Sequence, residues 1–542
     1  MGRNLMIRRR TRERWGLLAA VMATAWSSVT GFGQESGSAP PNIVFIITDD
    51  MSWAHMGAYG SDEVDTPNLD RLAGEGVIFD HAFVSTPSCT PSRASILTGR
   101  NGFELGEGAS LWGYLPARFP TYTELLAERG YRVGATGKGW APGFLIDREV
   151  NPAGQPYNQI RSRPHPDLFD RVQMSDIDYA ANFEAFLDAT DENRPFSFWM
   201  GTYEPHRGYT PGVAAGKGKD PAAVTVPAFM PDVPVVREDI NEYYAEIEHV
   251  DMQVGRMMEV LNRRGLLDNT IVVFTSDNGM PFPRAKATLY DYGTHMPLVV
   301  WWGDNIDGGR RIDSLVSHTD IAPTFLEIAG VPVPPEMSGW SLLSLITSGE
   351  PGQAARDAVY MYRERHGFYA GSRGFSTPSR AIRTADYLLI WNARPDAIPL
   401  DVDGGPAKSF MEQNGESYPE LYALSFEPRA EFELYDIRAD TFQMRNLAGD
   451  EQHAETFGRL SSQLFGYLES RQDPRMLGDA ASLVYAPYFG VVFTPGLLQW
   501  SPEQQGQDLT LDERRDLLRK AYSALGEIEF FQRMIAGQAG RL

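Results

Sequence analysis

Ile43-Val44-Phe45-Ile46-Ile47-Thr48-Asp49-Asp50 opens on five consecutive apolar residues, mostly β-branched, and closes on two adjacent carboxylates. Such a run suits a strand buried on both faces, with the acids at its carboxyl edge. The pattern recurs downstream. Thr270-Ile271-Val272-Val273-Phe274 delivers Ser276-Asp277-Asn278-Gly279, and Phe196-Ser197-Phe198-Trp199-Met200 runs into Glu204-Pro205-His206-Arg207. Tyr131-Arg132-Val133 leads into Gly137-Lys138-Gly139-Trp140, and Leu298-Val299-Val300-Trp301-Trp302 adds a further strand.

Helix signals separate these runs. Thr66-Pro67-Asn68-Leu69 offers an N-cap with proline at the first helical position. Thr121 and Glu124 form a capping box before Leu125-Leu126, and Gly130 ends that helix. From Asn241, apolar Ile247, Val250, Val254, Met257 and Leu261 recur at helical spacing until Gly265, and a further helix is expected near Ile321–Ala329. Strands alternating with helices imply an α/β layer structure. Ligands bind beyond the carboxyl ends of strands in such sheets, where Asp49-Asp50, His206 and Asp277-Asn278 all fall.

The chain has 542 residues, 42% of them hydrophobic and 22% charged, the balance of a globular protein with a large core. Six arginines in residues 3–14 precede an apolar run from Trp15 to Trp26, and small residues follow near Gly31 and Gly33. Residues 1–33 are therefore expected to be a signal peptide, with 34–41 as a lead-in and export to a periplasmic or extracellular location. An uncleaved anchor is the alternative, and no other segment is apolar enough to span a bilayer. The formal charge is −22; the leader's six arginines and one glutamate carry +5, so the remainder carries −27. That balance argues against nucleic acid as a partner. An anionic substrate would need a local cluster of cations inside an acidic protein.

Composition shifts after Pro351. Short strands at Val359–Tyr362, Tyr387–Trp391 and Phe432–Tyr435, then a helix at Ala454–Ser470, read as a smaller α+β domain over 351–478 behind the α/β domain of 42–350. Residues 479–542 read as a helical extension with an amphipathic helix near Leu511–Ile535.

Cys89 is the only cysteine, so no internal disulfide is available to it. By composition alone it would be a small buried hydrophobe. Its setting is Cys89-Thr90-Pro91-Ser92-Arg93-Ala94-Ser95-Ile96-Leu97-Thr98-Gly99-Arg100, in which Pro91 suits a first helical turn and Gly99 a C-terminal stop. Cys89 would then lie at a helix N-terminus, which favours an anion. Asp49, Asp50, Asp277 and Asn278 supply the oxygen ligands a hard divalent cation requires. An aspartate pair alone is usually a cap or a solvated pair, and Asp-Asn-Gly alone is usually a turn. Both directly after apolar strands, with Cys89 between them in sequence, favour the functional reading.

The Cys-x-Pro-Ser-Arg string followed by Thr-Gly is complete here and resembles the signature of the type I, formylglycine-dependent sulfatases of the alkaline phosphatase superfamily. The resemblance covers roughly residues 42–450, including Glu433-Leu434-Tyr435-Asp436 with Asn446-Leu447. It implies a large mixed β-sheet flanked by helices, with a smaller C-terminal α+β domain. It implies that Cys89 is oxidised to Cα-formylglycine by a maturation enzyme, and that one Ca²⁺ rests on Asp49, Asp50, Asp277, Asn278 and residue 89. Arg93, Lys138 and Lys286 would then stabilise charge on the sulfate. His206 would protonate the leaving group, and Asp277 would orient or deprotonate the attacking hydroxyl. Asp277-Asn278-Gly279-Met280-Pro281-Phe282-Pro283, Leu289-Tyr290 and Glu204-Pro205-His206-Arg207 look like the N-sulfoglucosamine sulfohydrolase branch. The substrate implied is a sulfated saccharide carrying an S–N or S–O bond, with Glu204, Arg207 and the run Arg363-Glu364-Arg365-His366 as candidates for reading the sugar.

One position departs from the family pattern. A histidine usually follows two residues after the first active-site lysine, and here that residue is Trp140. Trp140 is expected to stack on a sugar ring instead. Two alternatives stay open on sequence: a phosphonate or phosphate diester hydrolase of the same superfamily, and a catalytically inert relative that binds anionic glycans.

Overall fold

A computed structural model describes residues 40–162, 174–189, 194–366, 377–399 and 402–484. The expected signal peptide, most of its lead-in and the helix near Leu511–Ile535 lie outside the described residues. The larger sheet holds nine strands: β1 (Asn42–Thr48), β2 (Val77–Phe83), β3 (Arg132–Gly137), β4 (Gln155–Pro156), β5 (Phe196–Gly201), β6 (Thr270–Ser276), β7 (His295–Met296), β8 (Leu298–Trp301) and β9 (Arg310–Ser317). Their order is β4-β3-β5-β1-β6-β8-β2-β7, with β9 also on β2. The strands from β4 through β6 run parallel, whereas β8 is antiparallel to both β6 and β2. The sheet is mixed, as expected from the family resemblance.

β1 is buried at every residue because each of its faces meets a separate apolar layer. Val44 and Ile46 pack with Phe198, Phe274 and the long helix Pro234–Arg263. Ile43, Phe45 and Ile47 pack with Trp199, Val273 and Phe325 of the helix Ile321–Ile328. This two-sided burial is why the strand reads as an unbroken apolar run rather than an alternating one.

Register then positions the site. Ile47 lies opposite Gly201 on one side and Thr275 on the other, and Gly201 lies opposite Gly137. β3, β5, β1 and β6 therefore end at one level, and their following loops share one edge. Gly201 is required there, since a Cβ at that position would strike the Lys138 carbonyl.

The second sheet is antiparallel, in the order β10 (Ala358–Arg363), β11 (Ser379–Thr384), β12 (Tyr387–Asn392) and β13 (Phe432–Asp436). Helix Ala454–Ser470 covers it with Leu460, Leu464 and Leu468. No helix among the described residues is long and apolar enough to cross a membrane.

Several local expectations need correction. The long helix begins at Pro234, seven residues before Asn241, with proline at its first position. Thr66 holds the N-cap position ahead of Pro67 as read, but its side chain makes no capping bond; its hydroxyl accepts from the Gly57 amide at 2.9 Å and donates to Asp70 at 3.1 Å. β11 has no apolar signal because it carries Arg380 and Arg383. Burial is possible because Arg380 is paired with Glu364 and Asp473, and Arg383 with Asp291. The capping box at Thr121 and Glu124 forms as read.

Phe45 sits edge-on to Trp199 and Phe325, with centroids 4.8 and 5.8 Å away. Phe45→Ala should cost about 3–5 kcal/mol. An equilibrium denaturant titration should show the midpoint falling with the slope unchanged.

Candidate active site

Four strand ends converge here. Asp49 and Asp50 follow β1, Lys138 follows β3, His206 lies beyond β5, and Asp277 and Asn278 follow β6. Cys89 is the first residue of helix Cys89–Thr98, all ten residues of which are buried. Gly99 closes that helix in the left-handed conformation.

The turn after β1 holds Asp50 at φ 77°, a conformation aspartate tolerates better than most residues. It aims the Asp50 amide at Asp277 Oδ1, 3.2 Å away, so the two strand-end turns are tied together. Gly279 allows the β6 turn to press against the Tyr292 carbonyl, where a Cβ could not fit. Ligand atoms of Asp49, Asp50, Cys89 and Asp277 all lie within 4.8 Å of one another. The Cys89 thiol donates to Asp49 Oδ1 at 3.3 Å, and Asn278 Nδ2 lies 3.8 Å from the sulfur.

Cations surround this acidic centre. Arg93 Nε donates to Asp277 Oδ2 at 2.7 Å, and its Nη1 holds the Lys138 and Gly139 carbonyls at 2.6 and 3.0 Å. Lys138 Nζ meets Asp49 Oδ2 at 2.5 Å, and Lys286 Nζ meets Asp50 Oδ2 at 2.7 Å. Each of these three carboxylates is thus matched by a cation within the cluster.

The charge states follow from the surroundings. Burial raises the Asp49 carboxyl, but Lys138, His206, Arg93 and Lys286 overcome it and hold the group well below the usual carboxylate range. For Asp50 and Asp277 burial wins over the nearby cations, and both are raised. Burial and the Asp49 charge push the Cys89 thiol far up. It is therefore protonated and a poor nucleophile as it stands.

Two buried oxygens of the cluster, Asp50 Oδ1 and Asn278 Oδ1, have no hydrogen-bond partner. Leaving such atoms bare is costly, so the arrangement fits a bound cation. With Asp49 and Asp277 they form an all-oxygen set suited to Ca²⁺. The thiol is the one soft donor in a hard set, and an oxygen at residue 89 would remove the mismatch.

A cavity of about 650 Å³ opens above the cluster. Cys89, Lys138, His206 and Lys286 line its floor, with Trp112 and Tyr203 among its aromatic walls. His206 Nε2 stands 3.8 Å from Asp50 and 3.8 Å from Asp403, with its ring one-third exposed. His366 lines the cavity, and its Nδ1 is 2.8 Å from the Ser88 hydroxyl.

The ring of Trp140 is not at the cavity surface. It is 2% exposed and packs in the apolar layer with Leu115 and Trp199, away from the cavity lining. Its backbone loop is instead pinned by Asn151, which accepts from the Trp140 amide at 3.0 Å. Arg207 lines the cavity, but its guanidinium is fastened to Asp239 by two 2.8 Å bonds. Glu204 is held by the Tyr179 hydroxyl and the Ser175 amide at 2.7 and 2.8 Å, and Glu364 is spent on Arg380 and Arg475. Arg207 and Glu204 therefore shape the cavity wall with their polar atoms already partnered, and Glu364 lies outside the lining. Asp403 and Trp112 were missed in the sequence; both sit on loops without periodicity, and no local pattern marks them.

These features define a hydrolase site for a small anionic group, on an α/β scaffold with a metal-ready oxygen cluster. Residues 41–331, over half the chain, match the family model Sulfatase, and the chain belongs to the sulfatase family. It is thus an enzyme of the sulfuric ester hydrolase class. Residues 284–400 match the model N-sulphoglucosamine sulphohydrolase, C-terminal. Human N-sulphoglucosamine sulphohydrolase is 28% identical over 80% of this chain and 91% of its own length. N-acetylglucosamine-6-O-sulfatase of Bacteroides thetaiotaomicron is 26% identical over 78% and 85%. The fold is shared with a protein solved in complex with its substrate D-glucosamine-2-N,6-O-disulfate, at TM-score 0.59 and 23% identity over 80% of this chain and 98% of that one. Phosphonate monoester hydrolase of Agrobacterium radiobacter shares it too, at TM-score 0.57 and 20% identity over 80% and 96%.

Trp140→Ala should cost about 3–5 kcal/mol of stability, as for a core aromatic. Trp112→Ala, at the half-buried cavity wall, should shift the denaturation midpoint much less. Equal shifts in the two variants would return Trp140 to the pocket.

Proposed function

We propose that this protein is exported and hydrolyses a sulfate ester or sulfamate on a sulfated saccharide, after Cys89 has been oxidised to Cα-formylglycine by a maturation enzyme. One observation carries the reading: the only thiol of the chain sits within ligating distance of three strand-end carboxylates, on the floor of a cavity lined by lysines. Asp49, Asp50, Asp277 and Asn278 would hold one Ca²⁺. When bound, it would polarise a sulfate oxygen and add positive charge to the cluster.

The remaining chemistry falls to the chain's own side chains. Lys138 and Lys286 flank residue 89 from two loops and would bind the non-bridging sulfate oxygens, stabilising the charge that grows there. Arg93 lies behind the cluster and fixes Asp277 and the Lys138 loop, so its role is positional. Asp277 would hold the proton of the attacking hydroxyl. His206 stands at the cavity edge of the cluster and would hand its proton to the departing alcohol or amine. Its Nδ1 lies 2.5 Å from the Arg207 carbonyl, which directs Nε2 toward the cavity. Trp112 and Tyr203 would supply the apolar faces for a sugar ring. The aromatic role read for Trp140 passes to them.

Support for a saccharide comes from the relatives, two of which are named for sulfated glucosamine derivatives. Because the phosphonate hydrolase shares the fold, assays on sulfate and phosphate esters in parallel separate the two chemistries.

Cys89→Ala and Cys89→Ser should abolish turnover of sulfated glucosamine while leaving the melting curve intact. Retained activity in Cys89→Ala would refute the nucleophile. His206→Ala should lower kcat about 10²–10⁴-fold on saccharide substrates. The loss should be far smaller on an aryl sulfate, whose phenolate departs without a proton, and a steady-state comparison of the two substrates checks this.

A further inference from the structure

Asp403 lies beyond both matched segments, which end at residues 331 and 400, yet its carboxylate reaches the centre of the site. Its Oδ2 is 2.6 Å from Lys286 Nζ and 3.8 Å from His206 Nε2. The side chain is 29% exposed and lines the cavity. Burial raises this carboxyl, but Lys286, His206 and His366 overcome it, so Asp403 is an anion. Lys286 thus bridges Asp50 on the cluster side and Asp403 on the cavity side.

A fixed anion is an odd neighbour for an incoming sulfate. It becomes intelligible if it faces the leaving group instead. The atom that takes the proton must come within about 2.6–3.2 Å of His206 Nε2. From there an atom on the cavity side also reaches the Asp403 carboxylate, only 3.8 Å from the same nitrogen. What that atom carries then decides the outcome. A sulfamate nitrogen in R–NH–SO₃⁻ bears one hydrogen and donates it. The bridging oxygen of R–O–SO₃⁻ bears none, and its lone pairs face the carboxylate unfavourably.

We propose that Asp403 accepts the N–H of a sulfamate and thereby makes the site prefer S–N over S–O bonds. This rests on the sulfatase reading above and specifies its substrate class. In the step, the nitrogen keeps its hydrogen and the electron pair of the breaking N–S bond. It gains the proton from His206 and departs as R–NH₂, while the sulfuryl group passes to the attacking oxygen. Asp403 holds the nitrogen's own hydrogen throughout. It also receives a hydrogen bond from the amine once it is free.

The test compares kcat/KM for D-glucosamine N-sulfate and D-glucose 2-O-sulfate, which differ in the atom joining ring to sulfur. A hydrogen bond to a charged acceptor shifts such a ratio by about tenfold to a hundredfold. Wild-type enzyme should favour the sulfamate, and Asp403→Asn and Asp403→Ala should each cut the preference by at least about tenfold. A probe on unaltered protein removes any dependence on variant folding. N-methylglucosamine N-sulfate lacks the N–H and should be a correspondingly poorer substrate for the wild type. Methylation should cost the Asp403→Ala enzyme much less. Equal losses on sulfamate and ester would show that Asp403 only positions Lys286, and would overturn the proposal. So would a wild-type enzyme that cleaves the ester but not the sulfamate. An enzyme inert to every sulfated compound, p-nitrophenyl sulfate included, would remove the sulfatase reading itself.

Discussion

The parallel pairing of β1 with β6 is the constraint on which the site depends. It sets Thr48 beside Ser276, so the next residues on each strand, Asp49-Asp50 and Asp277-Asn278, emerge side by side. A shift of one residue would turn the apolar faces of β1 from one layer to the other and separate the carboxylates. The tight apolar packing on both faces therefore fixes the active site as well as the fold. Like charges held this close repel, and the site tolerates them through Arg93, Lys138 and Lys286.

That balance explains the division of labour among the cations. Arg93 is fully buried and makes bonds to a carboxylate and two carbonyls, the use to which a rigid five-donor fork is suited. Lys138 and Lys286 are compact charges on flexible stems at the cavity floor. They pair with Asp49 and Asp50. With those acids turned to the proposed cation, the lysines would become available to an anionic ligand. An acidic chain with a formal charge of −22 can in this way present a locally cationic floor.

Much of this was legible in the sequence because strand ends carry sharp signals. Asp49, Asp50, Asp277 and Asn278 directly follow strands built on apolar runs, and the helix Cys89–Thr98 carries Pro91 in its first turn and ends at Gly99. Other residues were hidden for physical reasons. Arg380 and Arg383 make β11 look solvent-exposed, because their buried partners are distant in sequence. Trp140 follows a glycine-rich loop that reads as open, yet tertiary packing draws it into the core. Asp403 and Trp112 belong to loops whose position is set by the whole chain. The family histidine's place is filled by a buried ring, so proton transfer there has no counterpart at residue 140.

Residue 89 is the point at which fold and chemistry meet, as a soft thiol in a cage of hard oxygens. The most direct measurement is peptide mass spectrometry of the segment containing residue 89, on protein matured in its host and shown to be active. The expected result is the mass of an aldehyde, or its hydrate, at residue 89 in step with specific activity. Full activity with the thiol intact would contradict it.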